Sequence, residues 1–479
     1  MKSLIAIVRL TLRNAIRSHV FQLLLGFLIL CVALVPTTVG GSTAMDFIRV
    51  SLLYSMSGIG MILSLSALWV GCHVMSADIE SYQLHMVVSK PVSRVTIWLG
   101  KWLGVLILHL VLLFLAAAAI YGVVMWRFHN GDFPAAERDR IKNEVLVGRR
   151  VFLPERPDYA EQAAKMRDEK LRKQLADGKL KLESITPKMQ ERIYKSCFKE
   201  LVAKGSELLP GQNREWVFKG VSRKTDRQLY LRYRPFVGKV KSEDQRDTMA
   251  WWYVYAPISR PDRKTDAAEE PESAGEVQRF PHYLTRGPIR IRSGEFHEAQ
   301  MPGNRDIVSP KGEVIIGVVN FDPKRDKHYY QPLDGPKLLI EETGFAGNYA
   351  RAVLVLALQL VMMTALSCAL GGFLTLPTAV FVSSSYLGFG FIASFMTDAD
   401  YYVNGKMDEI GQSISSFMLK LVVPLTRFAV TDLIADGELV EWSLIWNITW
   451  ECLLLRMLPL VLLGIFLYWR REIGLVTRK

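Results

Sequence analysis

One short polar segment, residues 76–101, holds the residues whose types and spacing most suggest a chemical role. Asp78 and Glu80 open it, as carboxylates do at the N-terminus of a helix, where they oppose the helix dipole. Pro91 then breaks the helix, and Ser93 begins the next one. Charged residues on both sides of a short helix suit contact with another protein better than catalysis.

The middle of this segment is apolar although its surroundings are polar. Its apolar residues are Leu84, Met86, Val87 and Val88. An exposed apolar cluster usually marks a contact. A polar loop between two membrane spans would account for the charges, but less well for an apolar helix between them. We therefore predict that this segment docks onto a partner.

Motifs for catalysis or cofactor binding do not occur in the sequence. It has no G-x-x-x-x-G-K-[ST], no H-E-x-x-H and no C-x-x-C. His73 and His85 flank the two carboxylates, but nothing else favours a metal site. We predict no enzymatic activity, no metal and no cofactor in this chain, so that any ATP must bind a separate subunit. The cysteines are far apart in sequence, at Cys31, Cys72, Cys197, Cys368 and Cys452.

The charged residues are concentrated in the middle of the chain. Residues 131–350 contain 41 of the 59 Lys and Arg and 34 of the 47 Asp and Glu, which leaves both ends strongly apolar. The net charge of +12 belongs mostly to this middle part, where both signs are interspersed. Nucleic-acid binding is therefore not indicated.

The apolar ends contain six runs long enough to cross about 30 Å of hydrocarbon. The predicted spans are His19–Gly40, Phe47–Met75, Thr96–Trp126, two within Ala352–Met396, and Trp450–Trp469. Gly371, Gly372 and Pro377 mark the hairpin between the fourth and fifth spans. The chain is therefore expected to be a multi-pass membrane protein.

The orientation follows from the cations on the short flanks of the spans. They are Lys2, Arg9, Arg13 and Arg17 before span one, Lys90, Arg94 and Lys101 between spans two and three, and Arg470, Arg471, Arg478 and Lys479 at the end. The opposite flanks, Ser42–Ala44 and Asp398–Asp400, have none. Both termini are thus predicted to be cytoplasmic, with residues 128–347 extracytoplasmic.

The first residues form an amphipathic helix. Lys2, Arg9, Arg13 and Arg17 fall on one side of it and apolar residues on the other. We predict that residues 1–18 lie flat at the membrane surface, with their cations among lipid head groups. The alternative is that they simply extend span one into the cytoplasm.

The segment between spans two and three resembles the cytoplasmic segment of ABC-2 type permeases, the membrane subunits of ATP-driven exporters. An acidic residue, a short apolar helix, S-K-P-V-S-R and a span opening with G-K carry the resemblance. The basic surface helix, the six spans and the ending W-R-R-E-I-G-L add to it. The matching positions in the segment are Glu80, Lys90, Pro91, Arg94, Gly100 and Lys101.

The resemblance implies that this segment holds a coupling helix that docks into a groove of an ABC ATPase subunit. The coupling residues would be Asp78, Glu80, Leu84, Val87, Lys90, Pro91 and Arg94. It further implies a dimer with a second, identical or different permease chain, ATP and Mg²⁺ bound by the ATPases, and export across the cytoplasmic (inner) membrane. The spans would occupy residues 19–127, with the coupling loop at 76–95, and residues 348–479, with an outer interfacial segment at 397–449.

The insertion between spans three and four divides by pattern into two parts. Residues 128–210 contain a charged helical hairpin, and residues 211–347 contain short alternating strands typical of an antiparallel β-sandwich. The expected fold is therefore an α-helical membrane protein with six transmembrane helices and an inserted extracytoplasmic α+β domain. Trp251, Trp252, Tyr253 and Tyr283 suggest either sugar binding or, by preference, the sandwich core.

Two functions of different classes follow from these patterns. One is the permease just described. The other is a membrane-anchored sensor or scaffold whose outer sandwich binds an envelope ligand or a carbohydrate without transport. A partner ATPase would distinguish the first from the second.

Overall fold

The computed structural model describes residues 2–17, 19–38, 43–80, 92–155, 157–178, 186–222, 227–238, 247–257, 279–301, 307–324, 326–331, 334–397, 413–414, 422–423 and 425–470. The chain divides into two compact units. The helical unit comprises residues 1–148 and 342–479, and the inserted unit comprises residues 149–341. The inserted unit falls within the insertion expected at 128–347.

The helices of the described residues are, in chain order, α1 (Lys2–Arg17), α2 (His19–Thr38), α3 (Ala44–Glu80), α4 (Arg94–Asn130), α5 (Ala135–Glu144), α6 (Ala160–Ala176), α7 (Pro187–Ser206), α8 (Phe345–Phe373), α9 (Leu376–Thr397), α10 (Thr431–Ala435) and α11 (Trp442–Arg470). Only α6 and α7 belong to the inserted unit. They lie on either side of Asp177 and Gly178, where the sequence predicts a helical hairpin.

Within the described residues, four helices are long and apolar enough to cross a membrane: α3 over Ala44–Ala77, α4, α8 and α11. A fifth candidate is the pair α1 and α2, which is bent by 68°. Helix α9 contains a shorter apolar stretch, Leu376–Ile392. These helices are consistent with a membrane protein, while the count of six spans stays a prediction.

The apolar side chains of α3 pack at helical spacing against α4 and α8. They include Ile48, Leu52, Met56, Ile59 and Leu63, each at most 2% exposed. A spacing of three or four residues puts them on one face of the helix. The α8–α9 hairpin has its break at residues 374–375, so Gly371 and Gly372 lie inside α8 rather than in the turn.

Helix α11 begins eight residues before the predicted start of the last span, and its middle part, Ile448–Met457, is π-helical. Arg456 Nη2 donates to Glu451 Oε1 at 2.7 Å. Residues five apart become neighbours when each turn is widened to the π form, which explains this contact. Arg456 also donates to the carbonyl of Val422 at 2.9 Å, so it is paired within the protein.

The inserted unit is rich in antiparallel strands. In chain order the strands are β1 (Val147–Phe152), β2 (Glu207–Leu208), β3 (Asn213–Phe218), β4 (Leu229–Tyr233), β5 (Phe236–Val237), β6 (Asp247–Pro257), β7 (Arg279–Tyr283), β8 (Ile289–Arg292), β9 (His297–Gln300), β10 (Val314–Asn320), β11 (His328–Tyr329) and β12 (Lys337–Gly344).

In the part of the chain that the structure describes, these strands form three sheets. The order is β1-β12-β4-β9 in the first, β3-β10-β6-β7 with β8 beside β6 in the second, and β2-β11-β5 in the third. Strand β10 runs antiparallel to β3 and β6, and β4 antiparallel to β9 and β12. The antiparallel sheets are confirmed, and their arrangement as a sandwich stays a prediction.

One apolar core joins the first two sheets. Phe218, Leu231, Trp252, Val318 and Leu338 belong to it, and each is at most 1% exposed. The alternation of a strand places every second residue of β6 in this core and the others on the opposite face.

Candidate functional site

The predicted coupling segment lies between the end of α3 and the start of α4. Asp78 and Glu80 belong to the last turn of α3, and Arg94 is the first residue of α4. Leu84, Val87, Lys90 and Pro91 lie outside the described residues, as do the side chains of the two carboxylates. Of the predicted coupling residues, the structure therefore describes the side chain of Arg94.

The prediction that Asp78 and Glu80 stand at the N-terminus of a helix is wrong. Helix α3 continues through Ser76 without interruption to Glu80, because no Gly or Pro follows the apolar run to break it. Asp78 and Glu80 thus lie in the last described turn of α3 rather than at a helix start.

The second boundary of the segment agrees with the prediction. Ser93 is the N-cap of α4, and its side-chain oxygen accepts a hydrogen bond from the backbone amide of Thr96 at 3.2 Å. Capping of this kind satisfies an amide that has no partner within the helix. Residues 81–91 are therefore followed closely by a helix whose start is capped.

A small buried cluster lies directly beside these two helix ends. It consists of Met75 from α3, Trp98 from α4, Cys368 and Ala369 from α8, and Tyr468 from α11, each at most 2% exposed. The indole of Trp98 donates to the carbonyl of Cys368 at 3.3 Å. We call these five residues the four-helix cluster.

Three polar contacts surround the four-helix cluster. Ser76 Oγ donates to the carbonyl of Gly371 at 3.1 Å, which joins α3 to α8. Lys101 Nζ donates to the carbonyl of Val74 at 2.9 Å, which joins α4 to α3. Arg94 Nη1 donates to the carbonyl of Trp469 at 2.7 Å, which joins α4 to the end of α11. Both helix ends are thus fastened to α8 and α11.

Helix α1 packs against the first part of α4. A Cβ added at Gly100 would lie 2.7 Å from Ile7 Cγ2, and one added at Gly104 would lie 2.7 Å from Thr11 Cβ. Two glycines four residues apart leave room for such a close approach. Gly100 is also one of the positions that carry the family resemblance. The four cations of α1 are exposed.

Sequence reasoning missed a polar contact inside the helical unit. His109 of α4 lies 3.0 Å from Ser66 Oγ of α3 through its Nε2 atom, and the histidine is fully buried. Because His109 is the one residue among Asp, Glu, His, Lys and Arg between Trp102 and Trp126, it could have been found as an exception within an apolar run. It fixes α3 and α4 against one another.

The arrangement suits mechanical coupling. Residues 81–91 join α3 to α4, so a force on them acts on both helices. The four-helix cluster and its three polar contacts join α3 and α4 to each other and to α8 and α11, and packed interiors of this kind can transmit displacement. No family model matches the chain, and neither a curated protein nor a solved structure does.

Proposed function

We propose that this chain is the membrane-spanning permease subunit of an ATP-driven transporter of the ABC-2 type. It works as a dimer with two ATPase subunits and exports its substrate across the cytoplasmic membrane. Closure of the ATPases on ATP pushes on residues 76–94, and the spans respond by opening a path outward.

The observation that carries this proposal is the set of contacts that join α3 and α4, the helices on either side of residues 81–91, to α8 and α11. A loop that merely joined two spans would need no such anchoring on both sides. Here Arg94 and Ser76 contact α11 and α8, two helices from the other end of the chain. A push delivered between α3 and α4 therefore reaches both halves of the helical unit.

The proposal includes six spans, with α2 and α9 counted beside α3, α4, α8 and α11. Both termini are then cytoplasmic, and the inserted unit lies on the opposite side of the membrane. The cations of α1 and of the segment before Lys101 support this orientation, because short cytoplasmic flanks are enriched in Lys and Arg.

Replacing Leu84 with Asp tests the coupling role. If this side chain lies in an ATPase groove, an unpaired carboxylate would be buried there at a cost of several kcal/mol. At about 1.4 kcal/mol for each tenfold change, we expect the affinity for the ATPase to fall by roughly two orders of magnitude. Insertion into the membrane should be unchanged, because no residue of a span is altered. Co-purification of the ATPase and membrane insertion are measured together.

Leu84→Met is the matched control, since it keeps an apolar side chain of similar volume. It should retain the ATPase at wild-type strength. An inserted Leu84→Asp chain that also retains its ATPase at wild-type strength would remove the coupling role. The sensor or scaffold function would then be the better description.

Cysteine labelling of intact cells tests the orientation. In a background without the native cysteines, an impermeant thiol reagent should label cysteines placed at Lys264 or Lys324 but not at Lys90. The expectation follows from the positive flanks, which favour the cytoplasmic side for Lys90. Labelling of Lys90→Cys before cell lysis would show that the orientation is reversed.

A further inference from the structure

The second sheet of the inserted unit has an aromatic outer face, which we call the aromatic face. One row across the sheet consists of Glu215, Gly317, Tyr253 and Tyr283, paired in register from β3 to β7. Tyr253 lies over Gly317, because a Cβ at that glycine would come within 2.2 Å of the tyrosine ring. The neighbouring positions on the same face are Asn213, Val217, Trp251, Tyr255, Pro281, Ile315 and Val319.

These aromatic residues do not belong to the apolar core between the first two sheets, although Tyr253 is itself buried, at 3% exposed. Trp252 and Val254 point into that core from β6, whereas Trp251, Tyr253 and Tyr255 alternate with them on the other face. An outer sheet face ordinarily carries polar residues. The preference for a core role, formed from the sequence, therefore holds for Trp252, whereas Trp251 is half-buried and Tyr253 is buried on the opposite face of the sheet.

The rings form a continuous array. Trp251 stacks on Tyr283 with centroids 3.8 Å apart and 25° between the planes. Tyr253 meets the edges of Tyr283 and Tyr255 at 5.6 and 5.8 Å. Phe321 packs edge-on against Trp251 at 5.7 Å and remains 47% exposed, while Tyr283 is 37% exposed. Such a surface offers ring faces and edges to a ligand rather than a closed pocket.

One carboxylate is fixed beside the rings. The hydroxyls of Tyr253 and Tyr255 both donate to Glu215 Oε1, each at 2.9 Å. Burial, and then the neighbouring Glu215, raises the pKa of Tyr253, and the hydrogen bond to Glu215 raises the pKa of Tyr255. Both phenols therefore stay protonated as donors, and the glutamate that accepts from them is exposed.

We propose that the aromatic face binds an oligosaccharide built from uncharged sugars. Sugar rings present apolar C–H groups on their faces and hydroxyl donors on their rims. The C–H groups fit the rings of Trp251 and Tyr283, and the hydroxyls fit Glu215 Oε2 and the side-chain amide of Asn213. No separate ATPase takes part, so this binding is independent of the proposed transport function.

The charge and the ring geometry of the aromatic face favour an uncharged oligosaccharide over anionic polymers and quaternary ammonium ligands. Within the row from Glu215 to Tyr283, Glu215 is the one charged residue, so an anionic group placed on this row would be repelled. Arg290 and Arg292 lie on the same face farther along, opposite Met249 and Asp247. A quaternary ammonium ligand would need rings that enclose it. Here Trp251 and Tyr283 are stacked on each other, which leaves no gap between them.

The row from Glu215 to Tyr283 spans three strand spacings, roughly 14 Å, enough for more than one sugar ring.

The test measures binding of cellohexaose, maltohexaose and chitohexaose to the full chain in nanodiscs by calorimetry, without any ATPase. At least one should bind, and Trp251→Ala should weaken it roughly tenfold, the value of one good aromatic contact. Glu215→Gln should weaken it as well, because an amide accepts hydrogen bonds less strongly than a carboxylate. Phe280→Ala is the matched control, since Phe280 lies on β7, is 45% exposed and points to the other side of the sheet.

Three results would overturn the proposal. The first is that none of the three oligosaccharides binds the wild-type chain. The second is that Phe280→Ala weakens binding as much as Trp251→Ala. The third is that binding appears only after residues 260–275 are removed, which would mean that this chain covers its own aromatic face. Failure in any of these ways leaves the ATPase experiment with Leu84→Asp unaffected, so the two proposals fail separately.

Discussion

Replacing Glu298 with Gln should destabilise the inserted unit by about 3–5 kcal/mol, the usual cost of removing one member of a buried ion pair. Glu298 accepts two hydrogen bonds from Arg149, at 2.8 and 3.0 Å, and one from Arg232 at 2.7 Å. The side chains of Arg149 and Arg232 are 0% and 4% exposed. The variant would leave two buried guanidinium groups without their carboxylate.

The measurement is hydrogen exchange of the β4 and β9 amides in the detergent-solubilised full chain. Glu298 and Arg232 lie opposite each other in this strand pair. Protection should fall by two orders of magnitude or more, at about 1.4 kcal/mol for each tenfold change. Glu295→Gln is the control, because its pair with Arg292 is half exposed and such pairs contribute about 0–1 kcal/mol.

The pH dependence of the stability of the inserted unit provides a second test of the role of Glu298. Burial by itself would raise its pKa, but the guanidinium groups of Arg232 and Arg149 outweigh burial and hold the pKa below its ordinary value of 4.5. The unfolded chain therefore takes up this proton at a higher pH than the folded chain. The stabilisation is complete above about pH 4.5 and is lost as the pH falls through the folded-state pKa. If the free energy of unfolding fell with decreasing pH as steeply in Glu298→Gln as in wild type, this role of Glu298 would be contradicted.

The helical pattern of the sequence predicted most of the helical unit. Long apolar runs with buried residues every third or fourth position leave little choice but a packed helix, as in α3 and α8. The exact ends were less predictable. Asp78 and Glu80 looked like the start of a helix, yet they lie inside α3, which continues through Ser76 to Glu80. Local helix propensity is compatible with a new helix at this point and with a continuing one. The packing of Met75 and Ser76 on α8 favours the continuing helix.

Contacts between distant parts of the chain could not be predicted. The positions of Arg94 and Trp469 are far apart in sequence, and no pattern connects them. The same holds for Arg149, Arg232 and Glu298, which the strand order β1-β12-β4-β9 brings together. The alternation of β6 did predict two faces, but not which of Trp251 and Trp252 belongs to the core.

Replacing Gly371 with Leu is expected to destabilise the helical unit by roughly 4 kcal/mol or more, above the usual 1–3 kcal/mol for an overfilled core. A Cβ at Gly371 would lie 2.8 Å from both the Cα atom and the carbonyl oxygen of Cys72. Both atoms are backbone of α3, so no side-chain rotation can relieve the contact. Helices α3 and α8 would have to separate, which would also break the hydrogen bond from the Ser76 hydroxyl to the carbonyl of Gly371.

Gly122→Leu is the control for this change, because a Cβ at Gly122 of α4 meets nothing within 4 Å. This variant should be as stable as wild type, since leucine is a better helix former than glycine. Thermal unfolding of both variants in the same detergent measures the difference. Equal midpoints would show that α3 and α8 do not touch at Gly371. A lowered midpoint for Gly371→Leu, together with loss of the ATPase, would show that docking at residues 81–91 depends on the four-helix cluster beside it.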